Sequence, residues 1–253
     1  MPSPSTKYAL SDGFDLIASI ELKSDSTFTF HWVGCTGPIA SATGRYRFDG
    51  DDLQLTATSN AFRRDPHTFA DVMHRIRWGA REYLVPDARM LAFVNAINGG
   101  REPRSDGFGL FYLRAGDEEL AVSGAPALGP RWSKFLLGEP LVGNIVGVEK
   151  RGANKQRPIV LLDAGSNAGL LEGMRVFVSN PRRPNLQVSL SVVTVEPDRA
   201  RATAGDVEAL VSRRFGELRN CDVWKTVRTA PDAAAADEPR VASCLRERKG
   251  DTR

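Results

Sequence analysis

The stretch Thr27–Gly34, TFTFHWVG, alternates: Phe28, Phe30 and Trp32 fall on one parity, Thr27, Thr29 and His31 on the other. A period of two belongs to a strand with unlike faces and is incompatible with an amphipathic helix. Its neighbours are of the same kind. Phe14–Leu22, FDLIASIEL, is rich in β-formers, and Ser24-Asp25-Ser26 supplies turn chemistry between the two. After a break at Cys35–Ala40, CTGPIA, the stretch 44–59 reads as a hairpin. Tyr46 and Phe48 alternate with Arg45 and Arg47, Asp49-Gly50-Asp51 turns the chain, and Leu53 and Leu55 return. A chain that opens this way is committed to an antiparallel meander whose apolar face must be covered, as a partial barrel or a sandwich.

Further on, Arg77–Pro86, RWGAREYLVP, is a strand with Trp78, Tyr83 and Val85 as its large apolar positions. Asp87–Gly100 predicts a helix over 88–98: Asp87 is placed to cap it, Met90, Leu91, Val94 and Ile97 recur at helical spacing, and Gly99-Gly100 end it. Phe108–Gly116 is another strand. Between these elements and the hairpin lies Pro66–Ile76, PHTFADVMHRI, which reads either as a helical turn or as a loop.

From Gly116 to Trp132 the glycines and prolines at 124, 126, 129 and 130 interrupt any periodicity, so the domain organisation divides here. The expected layout is a meander domain over 7–120 and a linker over 121–138. A small β-barrel over 139–228 follows, then a disordered tail over 229–253. The second half supplies five short strand candidates, Leu141–Lys150, Pro158–Asp163, Met174–Ser179, Leu186–Glu196 and Arg199–Gly205, with no helical insertion long enough for a parallel sheet. Asp206–Arg214 adds a short helix or strand. The tail is Ala, Pro and charge, a composition that buries little. The fold class is therefore mainly β: a meander with one packed helix, then a small barrel.

Within the second half, Ile159–Val178 carries Gly165, Gly169 and Gly173 at intervals of four. A phosphate-binding loop needs G-x-x-x-x-G-K-[ST]; here the glycines are too close and Leu170-Leu171 stands where lysine and a hydroxyl are required. A dinucleotide fingerprint needs a helix after the glycines, and a strand follows instead. The stretch reads as a turn, with Gly165 and Gly173 providing backbone freedom and Leu170 folding back as an apolar plug.

Through LLDAGSNAGLLEGMRVFV the second half resembles small β-barrel modules of bacterial envelope-associated proteins, including flagellar and cell-shape accessory proteins. Through LKSDSTFTFHW and GRYRFDGDDLQLT the first half resembles lipocalin-like β-meanders. These resemblances imply barrel-like folds and, for the second half, a role in assembly; neither carries over a functional residue.

Chemistry-bearing residues are sparse. His67, Asp71 and His74 share a face only if their segment is helical, and such a face would suit zinc or manganese; no further ligand is nominated, so no metal or cofactor is expected. His31 and Cys35 lack anything to activate a thiolate, and read as a sheet-face histidine and a semi-buried thiol. Trp78, Arg81 and Tyr83 are the candidates for lining a ligand site, since aromatics with arginine stack on sugars and bases; the structural alternative puts the rings in the core. Arg182 and Arg183, at the tip of NPRRPNL, are the candidates for anion contact.

The formal net charge of +3 creates no whole-protein field, but it is unevenly spread: residues 1–130 carry 13 Lys and Arg against 16 Asp and Glu, and residues 131–230 carry 16 against 10. Three cysteines, none at C-x-x-C spacing, argue against a disulfide framework, with one bridge, Cys221 to Cys244, open to the chain. The N-terminus has neither the basic nor the apolar region of a signal peptide, and no run approaches the ~18 apolar residues of a membrane span. The default compartment is the cytoplasm, replaced by the cell envelope if a leader was trimmed. The function expected is a non-enzymatic structural or interaction protein with an unknown protein partner. The alternatives are nucleic-acid or polyanion binding through the basic barrel, and a hydrolase with its site between meander and helix.

Overall fold

A computed structural model describes residues 5–11, 17–60, 69–103, 111–149, 158–180, 182, 188–204, 218–227, 239–240 and 242–244. The chain divides into two units, Met1–Ile97 with Arg101–Lys134, and Asn98–Gly100 with Phe135–Arg253. Each is built on a closed antiparallel barrel.

The first barrel has eight strands in sequence order: β1 (Thr6–Ser11), β2 (Ile17–Leu22), β3 (Thr27–Gly34), β4 (Gly37–Asp49), β5 (Asp52–Asn60), β6 (Val72–Trp78), β7 (Arg81–Pro86) and β8 (Tyr112–Arg114). Closure comes from β1 pairing with β8, Tyr8 opposite Arg114 and Ala9 opposite Leu113. Closing the meander removes both edges. The alternation read in the sequence is the one the barrel uses. Phe28 and Phe30 point into the lumen with Tyr8, Ile20, Leu53, Met73, Leu84 and Tyr112, and Trp32 packs against the same cluster. Phe69 enters the same core, its ring 4.8 Å from Phe30 and 5.8 Å from Phe28. Burying a ring of that size contributes about 1.5–3 kcal/mol. The break at CTGPIA is smaller than the sequence suggests: only Cys35-Thr36 form the turn, and pairing resumes from Gly37.

The segment Pro66–Ile76 is neither a helix nor a loop throughout. Val72–Trp78 is β6, paired in register with both β5 and β7. Its apolar residues split between the two faces. Met73 joins the lumen, while Ile76 and Trp78 face outward, where a second apolar layer covers the wall.

That layer is the predicted helix. A 3-10 turn (Asp87–Arg89) leads into α1 (Met90–Asn98), whose buried Met90, Phe93 and Val94 lie at the i, i+3, i+4 spacing of one face. Phe93 meets Tyr83 and Phe111 edge to face, at 5.3 and 5.2 Å between ring centroids. Asp87 does not cap the helix; no side chain caps the start of the 3-10 turn. At the far end Gly100 takes φ +71°, and the Arg101 N–H donates to the Ala96 carbonyl.

Residues 121–134, expected in a linker, belong to the first unit. The segment after β8 runs along the outer wall as a strap. Trp78 Nε1 donates to the Gly124 carbonyl at 2.7 Å, and the Ala127 N–H donates to the Arg77 carbonyl at 3.1 Å. The strap ends in a single helical turn, α2 (Pro130–Ser133).

The second barrel has six strands: β9 (Val142–Glu149), β10 (Ile159–Leu162), β11 (Arg175–Ser179), β12 (Val188–Val195), β13 (Ala200–Thr203) and β14 (Val223–Lys225), ordered β10-β13-β12-β11-β14-β9 and closed by β9 against β10. The five strands read from the sequence are all present. The sixth, β14, is three residues long and joins β11 to β9. A narrow barrel leaves little room inside, and its lumen is filled by Ile145, Val160, Leu162, Val176, Leu190, the small Ala200 and Ala202, and Trp224.

The glycine stretch is a strand–turn–strand unit. Ser166–Ala168 form a 3-10 turn, and Leu170 is fully buried in the barrel core, the plug expected of it. The glycines work differently from expectation. Gly169 and Gly173 are left-handed, with φ +91° and +86°, whereas Gly165 has φ −139°, which any residue adopts. What Gly165 provides is closeness. A Cβ there would lie 1.9 Å from the Glu196 carbonyl oxygen, against which the Ser166 N–H bonds at 2.9 Å.

A disulfide joins Cys221 and Cys244. The described residues of the expected tail, 239–240 and 242–244, are helical.

Candidate functional site

The outer wall of the first barrel carries a cleft of about 440 Å³ between the start of β5, β6, the start of α1 and the strap. Its polar wall holds Asp51, Asp52, His74, Arg75 and Arg131; its apolar wall holds Ile76, Met90, Leu128 and Trp132. The β4–β5 hairpin brings the aspartates there. Asp52 lies opposite His74 in the β5–β6 register, so the two side chains project on the same face.

His74 is held at both ring nitrogens. Nδ1 lies 2.7 Å from Asp52 Oδ1, and Nε2 lies 2.9 Å from Asp87 Oδ1. Asp87 also accepts from Arg131 at 3.1 Å. The result is a continuous chain, Asp52–His74–Asp87–Arg131, which links β5, β6, the 3-10 turn and the strap. Arg131 stacks over Trp132 at 4.4 Å, and the Trp132 ring lies edge-on to His74 with 6.4 Å between centroids. Asp51 is turned to Arg75, which stacks on Phe48. A carboxylate only accepts, so both His74 contacts are hydrogen bonds when the imidazole carries both protons.

A second polar group sits at one mouth of the barrel. The Tyr8 hydroxyl donates to the Glu82 carboxylate. Burial, and then that hydrogen bond, raise the Tyr8 phenol above its ordinary range. Arg114 donates to Asp117 at 2.9 and 3.1 Å, which raises its guanidinium further. Asp117 in turn accepts the Glu82 N–H at 2.8 Å. These groups satisfy one another.

The residues singled out from the sequence fall as follows. Trp78, Arg81 and Tyr83 project from the outer face of β6 and β7, toward α1 and the strap. Tyr83 is fully buried against Phe93. Arg81, 4% exposed, donates to the Leu120 and Glu118 carbonyls and pairs with Glu102, so it fastens the strap. Arg182 is exposed, its N–H donating to the Asn180 side-chain oxygen at 2.9 Å; Arg183 lies outside the described residues, as does His67. The helical metal face does not form: Asp71 precedes β6, His74 lies within it on the opposite parity, and no three His, Cys, Asp or Glu are placed to hold a metal ion among the described residues. Cys35, expected semi-buried, is free and exposed at the β3–β4 turn. No described helix is long and apolar enough to cross a membrane.

Sequence reasoning did not assemble Asp52, His74, Asp87 and Arg131. Asp87 was read as a helix cap and His74 as part of a helical face, and the signal that unites His74 with Asp52 is strand register. Comparison of the chain with protein-family models, curated proteins and solved structures gave no match.

Proposed function

We propose that the chain is a non-enzymatic binding protein whose first barrel takes a small or peptide ligand in the outer cleft. The observation that supports this most is the make-up of the cleft itself. About 440 Å³ is within the range of small-ligand sites. An apolar wall with Trp132 faces a polar wall, a combination that suits a ligand with an aliphatic or aromatic body and a polar end. His74, the group best suited to acid–base work, has both nitrogens occupied by carboxylates, so neither faces a substrate. That weighs against a hydrolase here.

The test is a thermal-shift screen of short peptides with one aromatic or aliphatic anchor, run beside Gly129→Phe. Gly129 lines the cleft and a Cβ there meets nothing within 4 Å, so a bulky side chain can be introduced at this position without a backbone clash. A ligand at a hundredfold excess over its Kd stabilises the protein by about 2.7 kcal/mol, and Gly129→Phe should abolish that response while keeping the unliganded midpoint. No stabilising peptide, or an equal response in the variant, refutes the proposal. The alternative, polyanion binding by the second barrel, rests on Arg182 and predicts salt-dependent binding that is lost in Arg182→Glu.

A further inference from the structure

We propose that the Asp52–His74–Asp87–Arg131 chain is a proton-controlled clasp on the cleft, joining floor to strap when His74 carries both protons and parting when it loses one. The inference rests on the cleft being the binding site and adds how access to it is regulated.

The geometry carries it. The imidazole stands between two carboxylate oxygens at 2.7 and 2.9 Å, its side chain 18% exposed. Whichever nitrogen gives up its proton then presents a lone pair to a carboxylate at hydrogen-bond distance, and that link becomes repulsive. Every charged group around the ring has a definite role. From β5, Asp52 takes Nδ1; from the 3-10 turn, Asp87 takes Nε2; from the strap, Arg131 is held through Asp87. Asp51 and Arg75 are paired with each other. Across the sheet His74 faces Val85, and from the strap the Trp132 ring adds no titrating group. Among the described residues His74 is the group in contact with both Asp52 and Asp87, so loss of one of its protons removes one of the two links. An imidazole can gain or lose a proton at one nitrogen while keeping the other, so the two contacts can be made together or one at a time.

The strap provides the readout. The Ala127 N–H bonds to the Arg77 carbonyl, and the Trp132 and Ser133 N–H groups bond to the Gly129 carbonyl. Hydrogen exchange of the peptide covering 127–133, corrected for the intrinsic effect of pH, is measured on the unliganded full chain from pH 5.5 to 8.5. Losing one charge-assisted link to a half-exposed carboxylate should speed exchange by about three- to tenfold at the higher pH. His74→Gln should exchange at one rate throughout. Asp87→Asn, which keeps the histidine but weakens its partner, should also lose most of the dependence. A flat wild-type profile, or an undiminished pH response in both variants, overturns the clasp. Because no ligand is used, that failure leaves the binding proposal to its own test.

Discussion

Replacing Cys244 by serine should lower the melting temperature of the second barrel by about 10–15 °C, and the size of the shift reports how the end of the chain is held. The disulfide links residues 23 apart. In the chain-entropy description, opening a loop of that length frees the unfolded chain by about 11.5 cal/mol/K, or about 3.4 kcal/mol at 25 °C. For a unit of this size each kcal/mol moves the midpoint by roughly 4 °C. Cys244 is the better site for the change because Cys221 is 1% exposed, and a serine there would add the cost of a buried hydroxyl. That figure holds if the helical residues 239–240 and 242–244 stay in place without the bond. If they come free, the native state gains the same freedom and the shift shrinks toward zero. Differential scanning calorimetry of wild type and Cys244→Ser, with the first barrel as internal reference, measures this directly. A second-barrel midpoint within about 2 °C of wild type would refute the view that the terminal segment is held by its own contacts.

Two further outcomes follow from the same structure. Gly165→Ala should cost about 3 kcal/mol in urea denaturation, since its methyl meets backbone that cannot swing aside. Gly169→Ala, left-handed but with nothing within 4 Å of its Cβ, should cost about 1 kcal/mol. The raised Tyr8 phenol makes the first barrel sensitive to alkali: below the ordinary tyrosine pKa both states hold the proton. Above it the unfolded chain releases the proton first, so stability falls from about pH 10 upward. Tyr8→Phe should flatten that fall, leaving the smaller contribution of Tyr46, whose phenol is also raised by burial; an unchanged alkaline slope by circular dichroism would refute it.

What was legible in the sequence is what depends on local pattern. Phe28, Phe30 and Trp32 declared their shared face because the opposite parity there is polar and solvent-facing. The helix over 88–98 and the five strands of the second half were visible for the same reason. β6 was not, because Ile76 and Trp78 lie under α1 and the strap while Met73 fills the lumen, so both faces are apolar and the alternation is lost. The strand β14 escaped because it is three residues long and its partners, β11 and β9, are far along the chain. The cleft was hidden more deeply still. Asp52, His74, Asp87 and Arg131 span four elements, and only the Asp52–His74 register and the return of the strap bring them together. Asp87 was read as a cap, and nothing local signals that a histidine would claim both it and Asp52.

The way each barrel closes sets an order on synthesis. The first is complete once Arg114 has emerged, since β8 is the last strand that β1 needs. The second stays open until Val223–Lys225 arrive, because β14 alone bridges β11 and β9. A nascent chain stopped before residue 223 therefore displays two unpaired strand edges beside an apolar lumen, which is the form most prone to pair with another chain. Ribosome stalling or truncation in the stretch just before β14 should yield aggregates seeded by the second barrel, with the first already folded and inert.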